Sequence, residues 1–408
     1  MSKNYSIYIV LWFLIRLVIE VNCQNTPFKP LKRYAHTATL IDNKLYILGG
    51  RLDSTSNNEN IGGQFFYLDV SEPFNIKNIV WHDLTEINVI PAHRAATSAR
   101  GGAYNDTLFL YGAKTDRPIV MELFYTFDTK SNSWSIPKLV ENGDNIKTKH
   151  NVKGIVDDNG KMYLFGGNHK NRTTFYDDML ILDTINFNLN MGSLVNAPTQ
   201  RILYGATFVP NNFIIYFGGS MDDANNAYPL KEVYLYDTID DNWSTTLGTI
   251  PSDRNAFSTV LGLDGQRIII FGGANININI LLPYALYVLN LTNFEWSIPK
   301  TSGKKPAESR RWHEANVVGN YMVITFGMGK NEDEIDKDDE ILLLDISNNE
   351  EYIWTNDFIP STKQSAKLSI PVIIGIIIGT GIFLSVGSFF LYKRNISNKK
   401  NRYERETQ

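Results

Sequence analysis

Six glycine-marked strand endings recur along the chain about every fifty-five residues, and that beat decides what it can fold into. They read LYILGG at 45–50, LFLYG at 108–112, MYLFGG at 162–167, IIYFGG at 214–219, IIIFGG at 268–273 and VITFGMG at 323–329. Their first glycines, Gly49, Gly112, Gly166, Gly218, Gly272 and Gly327, lie 63, 54, 52, 54 and 55 residues apart. A second marker keeps the same time: Trp81, Trp134, Leu189, Trp243, Trp296 and Trp354. Such a period with fixed internal markers belongs to a repeat architecture, in which each unit needs its neighbours to bury its apolar face.

The fourth unit shows the internal plan. Arg201 opens a first strand, Asn211-Asn212 turn into FIIYFGG, and the loop Met221 to Pro229 leads to KEVYLYDT. There Val233 and Leu235 alternate with Tyr234 and Tyr236 before a polar turn and Trp243. Alternation with period two, bounded by polar turns, predicts four short antiparallel strands per unit. The third strands end on Asp69, Asp128, Asp183, Asp237, Asn290 and Asp345, where an acceptor side chain suits the next turn. In four units the tryptophan position follows six residues later; units one and six differ, at 12 and 9. The predicted fold is an all-β propeller of six four-stranded blades, spanning about 33–84, 93–138, 150–193, 201–247, 254–299 and 311–358, plus one C-terminal transmembrane helix.

These paired glycines, aromatic strands ending near Asp and trailing tryptophans resemble the kelch-repeat family over roughly residues 30–358. The departures are Gly112-Ala113, Gly327-Met328-Gly329 and Leu189. The resemblance implies that Arg33, Arg94, Arg201, Arg254 and Arg311, near the unit starts, brace the blades, with anionic-ligand contact as the alternative. It also brings to mind the galactose-oxidase-like copper radical enzymes, built on similar units. Their site needs a Tyr–Cys crosslink, and the sole cysteine, Cys23, lies outside the repeats. Ring closure is left open, including whether residues 24–31 add a strand to blade six.

The ends are of another kind. Residues 1–23 place Lys3 before an apolar run and read as a secretory signal peptide; Arg16 and Glu20 leave an uncleaved anchor as the rival. Residues 24–32 form a lead-in, and 359–367 a juxtamembrane linker. Leu368 to Tyr392 carry no charge over 25 residues, long enough for a transmembrane helix. The tail 393–408 has a net charge of +4 and is predicted cytoplasmic, whereas residues 24–367 have a net charge of −9. The expected topology is single-pass type I, in the plasma membrane or secretory pathway, with the propeller extracellular or luminal. Gly375/Gly379 and Gly381/Ser385 have helix-contact spacing, so weak dimerisation through the span stays open.

Asn105, Asn171, Asn242 and Asn290 are sequon asparagines in expected turns and hence candidate N-glycosylation sites. The sequence contains no HExxH, GxSxG, P-loop or dinucleotide fingerprint, and its six histidines are scattered. No catalytic residue, metal or cofactor is expected. The acidic run 331–340 reads as a solvated loop, with Ca²⁺ binding left open. The expected function is recognition of a protein or carbohydrate ligand through face loops 51–63, 221–229, 274–283 and 330–340, with no nucleic-acid partner. The alternative is an enzyme with an unrecognised site in the central channel.

Overall fold

The computed structural model describes residues 27–361 apart from 52–60, 116–118, 142–145, 147, 170–173, 222–226, 249–250, 276–277, 280–283 and 330–339. The expected signal peptide, membrane span and tail, the sequon Asn171 and most of the face-loop residues named above lie outside the described residues. Among those described, no helix is long and apolar enough to cross a membrane. The chain falls into two compact units: Met1–Pro360, which holds the propeller, and Ser361–Gln408, of which only Ser361 is described.

Each blade is built as its alternation predicts. From the axis outward, the fourth blade runs Gly205–Val209, Phe213–Phe217, Glu232–Asp237 and Asn242–Leu247, paired antiparallel. Its register sets Ala206 opposite Tyr216, Ile215 opposite Leu235, and Tyr236 opposite Trp243. Asn211 and Asn212, at φ 70° and 63°, make the tight hairpin turn between the first two strands. The inner strands of the six blades are Tyr34–Ile41, Thr97–Gly101, Gly154–Val156, Gly205–Val209, Asn255–Leu261 and Glu314–Val318. The second strands, among them Lys161–Phe165 and Tyr321–Thr325, are buried on both faces because a blade lies against each. Their near-continuous apolar runs follow from that position. Two blades exceed four strands at the rim: Val140–Glu141 adds parallel to the outer strand of blade three, and Thr301–Gly303 to that of blade six. In blade five a short strand, Ile278–Asn279, hairpins back onto the second strand.

The tryptophans are wedges between neighbouring blades. Trp81, Trp134, Trp243, Trp296 and Trp354 meet Phe326, Phe65, Phe165, Phe217 and Phe271 of the preceding blade, with ring centroids 4.9–5.8 Å apart. Leu189 fills the same place against Phe109 and Tyr111, in a cluster joined by Leu139 and Ile146 from the segment that supplies the extra strand. The Asp or Asn at the end of each third strand accepts a backbone N–H two residues on, as in Asp237 to Ile239 at 2.8 Å and Asn290 to Thr292 at 2.8 Å. The Ser131 and Lys130 amides hold Asp128 below the usual carboxylate range.

Three residue assignments shift. In blade six Phe326, not Gly327, takes the first-glycine place: its φ is 46°, against 62–72° for Gly49, Gly112, Gly166, Gly218 and Gly272. Gly327, at φ 101°, stands where Gly50, Gly167, Gly219 and Gly273 stand in other blades. Phe326 tolerates the left-handed geometry because its ring is held by Trp81, His36 and Phe66. The bracing cations shift likewise. Arg33, Arg201 and Arg254 each donate Nη1 to the first-glycine carbonyl of their own blade, and in blade six Arg310, not Arg311, donates to Phe326 O. In blade two the position is His93 rather than Arg94, and its carbonyl accepts the Gly50 N–H as Arg201 accepts that of Gly167. Lys149 holds it in blade three, paired with Asp178 at 2.5 Å. The arginines and Lys149 thus brace their own blades with their side chains while the main chain reaches the blade before; the His93 ring instead lies against Gly49 of blade one.

Closure uses the C-terminus. Asp357–Phe358 pairs antiparallel with Phe74–Asn75, a strand inside the long turn of blade one. Phe358 is buried against Phe74 and Tyr321, 4.8 and 5.1 Å away, and Ile76 N–H donates to Asn356 O. The lead-in residues 27–32 form no strand; Phe28 packs on Phe66 at 5.5 Å instead.

Candidate functional site

The axis of the propeller is where six inner strands converge, so it gathers residues far apart in sequence. Two positions after each bracing residue stand Ala35, Ala95, Asn151, Leu203, Ala256 and Trp312, all at φ between 51° and 55°. Each donates its N–H to the carbonyl of its counterpart in the preceding blade, at 2.9–3.2 Å, and Ala35 donates to Trp312 O. The result is a closed circle of six backbone hydrogen bonds around the channel. Left-handed geometry costs about 1–2 kcal/mol for a non-glycine residue, so the circle persists only because six blades impose it together.

Just inside the circle lie His36 and His313, both buried. His36 Nε2 shares a hydrogen bond with Thr325 Oγ1 and His313 Nε2 one with Ser258 Oγ, each 2.8 Å long and each tying a blade to its predecessor. Burial, with Arg33 and His313 nearby, holds His36 well below the usual imidazole value. Burial, with Arg310 and Lys153 adding, pulls His313 down to about 3. The imidazoles are neutral. Across the channel, Lys153 of blade three forms an ion pair with Glu314 of blade six, the blade opposite. The cavity these residues line with Tyr204 and Trp312 has a volume of about 70 Å³, room for about two waters.

The channel widens at its other end. A cavity of about 410 Å³ is lined by Thr39, Ser98, Arg100, Asn105, Asp158 and Asn316 among others, at the turns between first and second strands. We call that face the bottom; the top is where the glycine pairs and the loops between second and third strands lie. Around the top opening, the residues flanking the circle pair with the ends of the second strands or the residues just beyond: Tyr34 with Arg51, Arg94 with Lys114, His150 with Asn168, Ile202 with Ser220, Asn255 with Ala274 and Arg311 with Met328. Arg51, Arg94, Lys114 and Arg311 thus fall on three adjacent blades, six, one and two.

Among the described residues, the sequon asparagines Asn105, Asn242 and Asn290 lie away from this rim. Asn105 is exposed in a bottom-face turn, Asn242 is exposed at the start of the outer strand of blade four, and Asn290, half-buried, closes a third strand on the same face. Of the acidic run, Glu340 is described: it accepts the Trp81 Nε1–H at 2.9 Å. Among the described residues, no group of three or more His, Cys, Asp or Glu is placed to hold a metal ion. The circle itself was hidden from sequence reading, since its members share a backbone angle and no residue type.

Residues 35–247 and 206–383 match the KLHDC2/KLHL20/DRC7 Kelch-repeats domain. The chain is similar to Kelch domain-containing protein 3 of Rattus norvegicus, 27% identical, covering 83% of this chain and 87% of that one. The Homo sapiens protein of that name is 26% identical over the same shares. Among solved structures, the one described as "Structure of YjhT" superposes with a TM-score of 0.58 at 14% identity, covering 81% of this chain and 99% of that one. At that identity the likeness concerns the fold alone.

Proposed function

Since the chain belongs to the KLHDC2/KLHL20/DRC7 Kelch-repeats domain family, we propose that it is a membrane-anchored binding or scaffold protein, recognising a protein or carbohydrate ligand with the top rim of its propeller. The observation that carries this reading is the narrowing of the channel at the backbone circle. With the circle, the cross-channel ion pair and about 70 Å³ between them, that part of the axis is mostly taken up by structure and the faces are left for partners. The half-buried cations Arg51, Arg94 and Lys114 of blades one and two favour an acidic ligand surface, whereas Arg311 of blade six is buried against Trp312 and Met328. The chain also leaves the ring beside Tyr321, on the bottom face. Glycans on Asn105, Asn242 and Asn290 would sit on that face. The top rim is then the side turned to partners, outside the cell or in a secretory lumen. Against the rival, an enzyme working at the backbone circle, weigh the small cavity there and a carboxylate already spent on Lys153.

The test is charge reversal. Full-length protein bearing Arg51→Glu and Arg94→Glu should lose about tenfold or more of the partner crosslinked in native membranes, a loss of about 1.4 kcal/mol of affinity or greater. Lys130→Glu on the bottom face should lose none. Equal retention by both variants contradicts the reading.

A further inference from the structure

The bottom mouth of the channel contains a polar cavity whose lip carries a sequon. We propose that this mouth is a carbohydrate seat and that its occupant is the first part of an N-linked glycan on Asn105 of the same chain. The proposal rests on the outward placement of the propeller.

Asn105 stands at the apex of the turn between Thr97–Gly101 and Thr107–Tyr111, at φ 54°, a geometry that asparagine accepts. The turn is pinned. Asn105 N–H donates to Gly102 O at 3.1 Å, Thr129 Oγ1 donates to Asp106 O at 2.7 Å, and Lys130 Nζ meets the Asp106 carboxylate at 2.5 Å. A pinned turn sets where Asn105 points, and Asn105 is among the residues that line the cavity. At about 410 Å³ the cavity falls within the roughly 300–1,000 Å³ of small-molecule sites.

Its lining suits a neutral polyhydroxylated ligand. Arg100 supplies donors, Asp158 acceptors, and Thr39 and Ser98 a pair of hydroxyls bonded to each other. Asp157 is committed elsewhere, accepting from the Asn159 and Lys161 amides and from Tyr163 Oη–H. Tyr104, the residue before Asn105, is 81% exposed; Lys130 Nζ lies over one side of its ring at 5.1 Å, and the other side offers an aromatic face beside the attachment point. Asn242 and Asn290 line no part of this cavity and serve as internal controls.

The test uses the full-length chain from a secreting eukaryotic host, treated while folded with a peptide N-glycosidase and followed by glycopeptide mass spectrometry. The expected result is a glycan on Asn105 released about tenfold more slowly than those on Asn242 and Asn290, because the enzyme must wait for the sugar to leave its seat. Denaturation should erase the difference, and Arg100→Ala with Asp158→Ala, both exposed positions, should narrow it. Free N,N′-diacetylchitobiose should bind the Asn105→Gln protein and not the glycosylated one. Overturning results are an unmodified Asn105 beside a modified Asn242, equal release from all sites, no narrowing in the double variant, or chitobiose binding to both proteins alike. If none of the three asparagines is modified, the outward placement fails first and the proposal fails with it.

Discussion

Burial, more than charge, decides what the histidines near the axis do. His93 is pulled down to about 4 by burial, which the Pro91 carbonyl only partly opposes, and His313 to about 3. Above about pH 6.5 these imidazoles are neutral whether the chain is folded or not. As pH falls below that value the unfolded chain takes up protons that the fold refuses, down to about pH 4 for His93 and about pH 3 for His313. Stability is therefore fully present above about pH 6.5 and is lost through that window. Denaturant melts at about pH 7.5 and about pH 5 should show a lower midpoint at the acid end, and His313→Asn should flatten the slope. A midpoint independent of pH would mean these histidines are solvated. The sequence displayed the glycines and tryptophans plainly but misplaced three functional positions by one residue. Only a backbone angle marks Phe326 as the glycine stand-in. Lys149 takes the bracing position through Asp178, His93 occupies it with its main chain alone, and Arg310 was hidden beside Arg311.

At the scale of elements, the spacings that broke the rule carried the missing information. Trp81 lies 12 residues beyond Asp69 rather than six because the turn between them contains Phe74–Asn75, the strand that receives the C-terminus. That pairing joins distant segments, and nothing local in either one names the other. Strand order and turns were legible because alternation and Asn or Asp turns act locally; the extra strands at 140–141 and 301–303 were not, since their parallel pairing is tertiary. If Asp357–Phe358 is the clasp, Phe358→Ala should cost about 3–5 kcal/mol in denaturant unfolding, as loss of a buried phenylalanine does. Ile359→Ala, at a position 63% exposed, should cost less than about 0.5 kcal/mol. Equal small effects would show that the ring closes without the clasp.

For the propeller as a whole, the six blades make one ring with its axis narrowed at the backbone circle and two unlike faces. The top carries half-buried cations from blades one and two; the bottom carries the polar cavity, the described sequons and the chain's exit. A repeat scaffold leaves recognition to its faces, and face residues follow no period, so the sequence named the scaffold far more readily than the site. The most direct measurement places a photo-crosslinking amino acid at Arg51 or Lys114 on the top rim, or at Lys130 or Asp240 on the bottom, in the full-length protein in its native membrane. The account predicts partner adducts from the top positions and none from the bottom. Adducts formed from the bottom positions alone would contradict it.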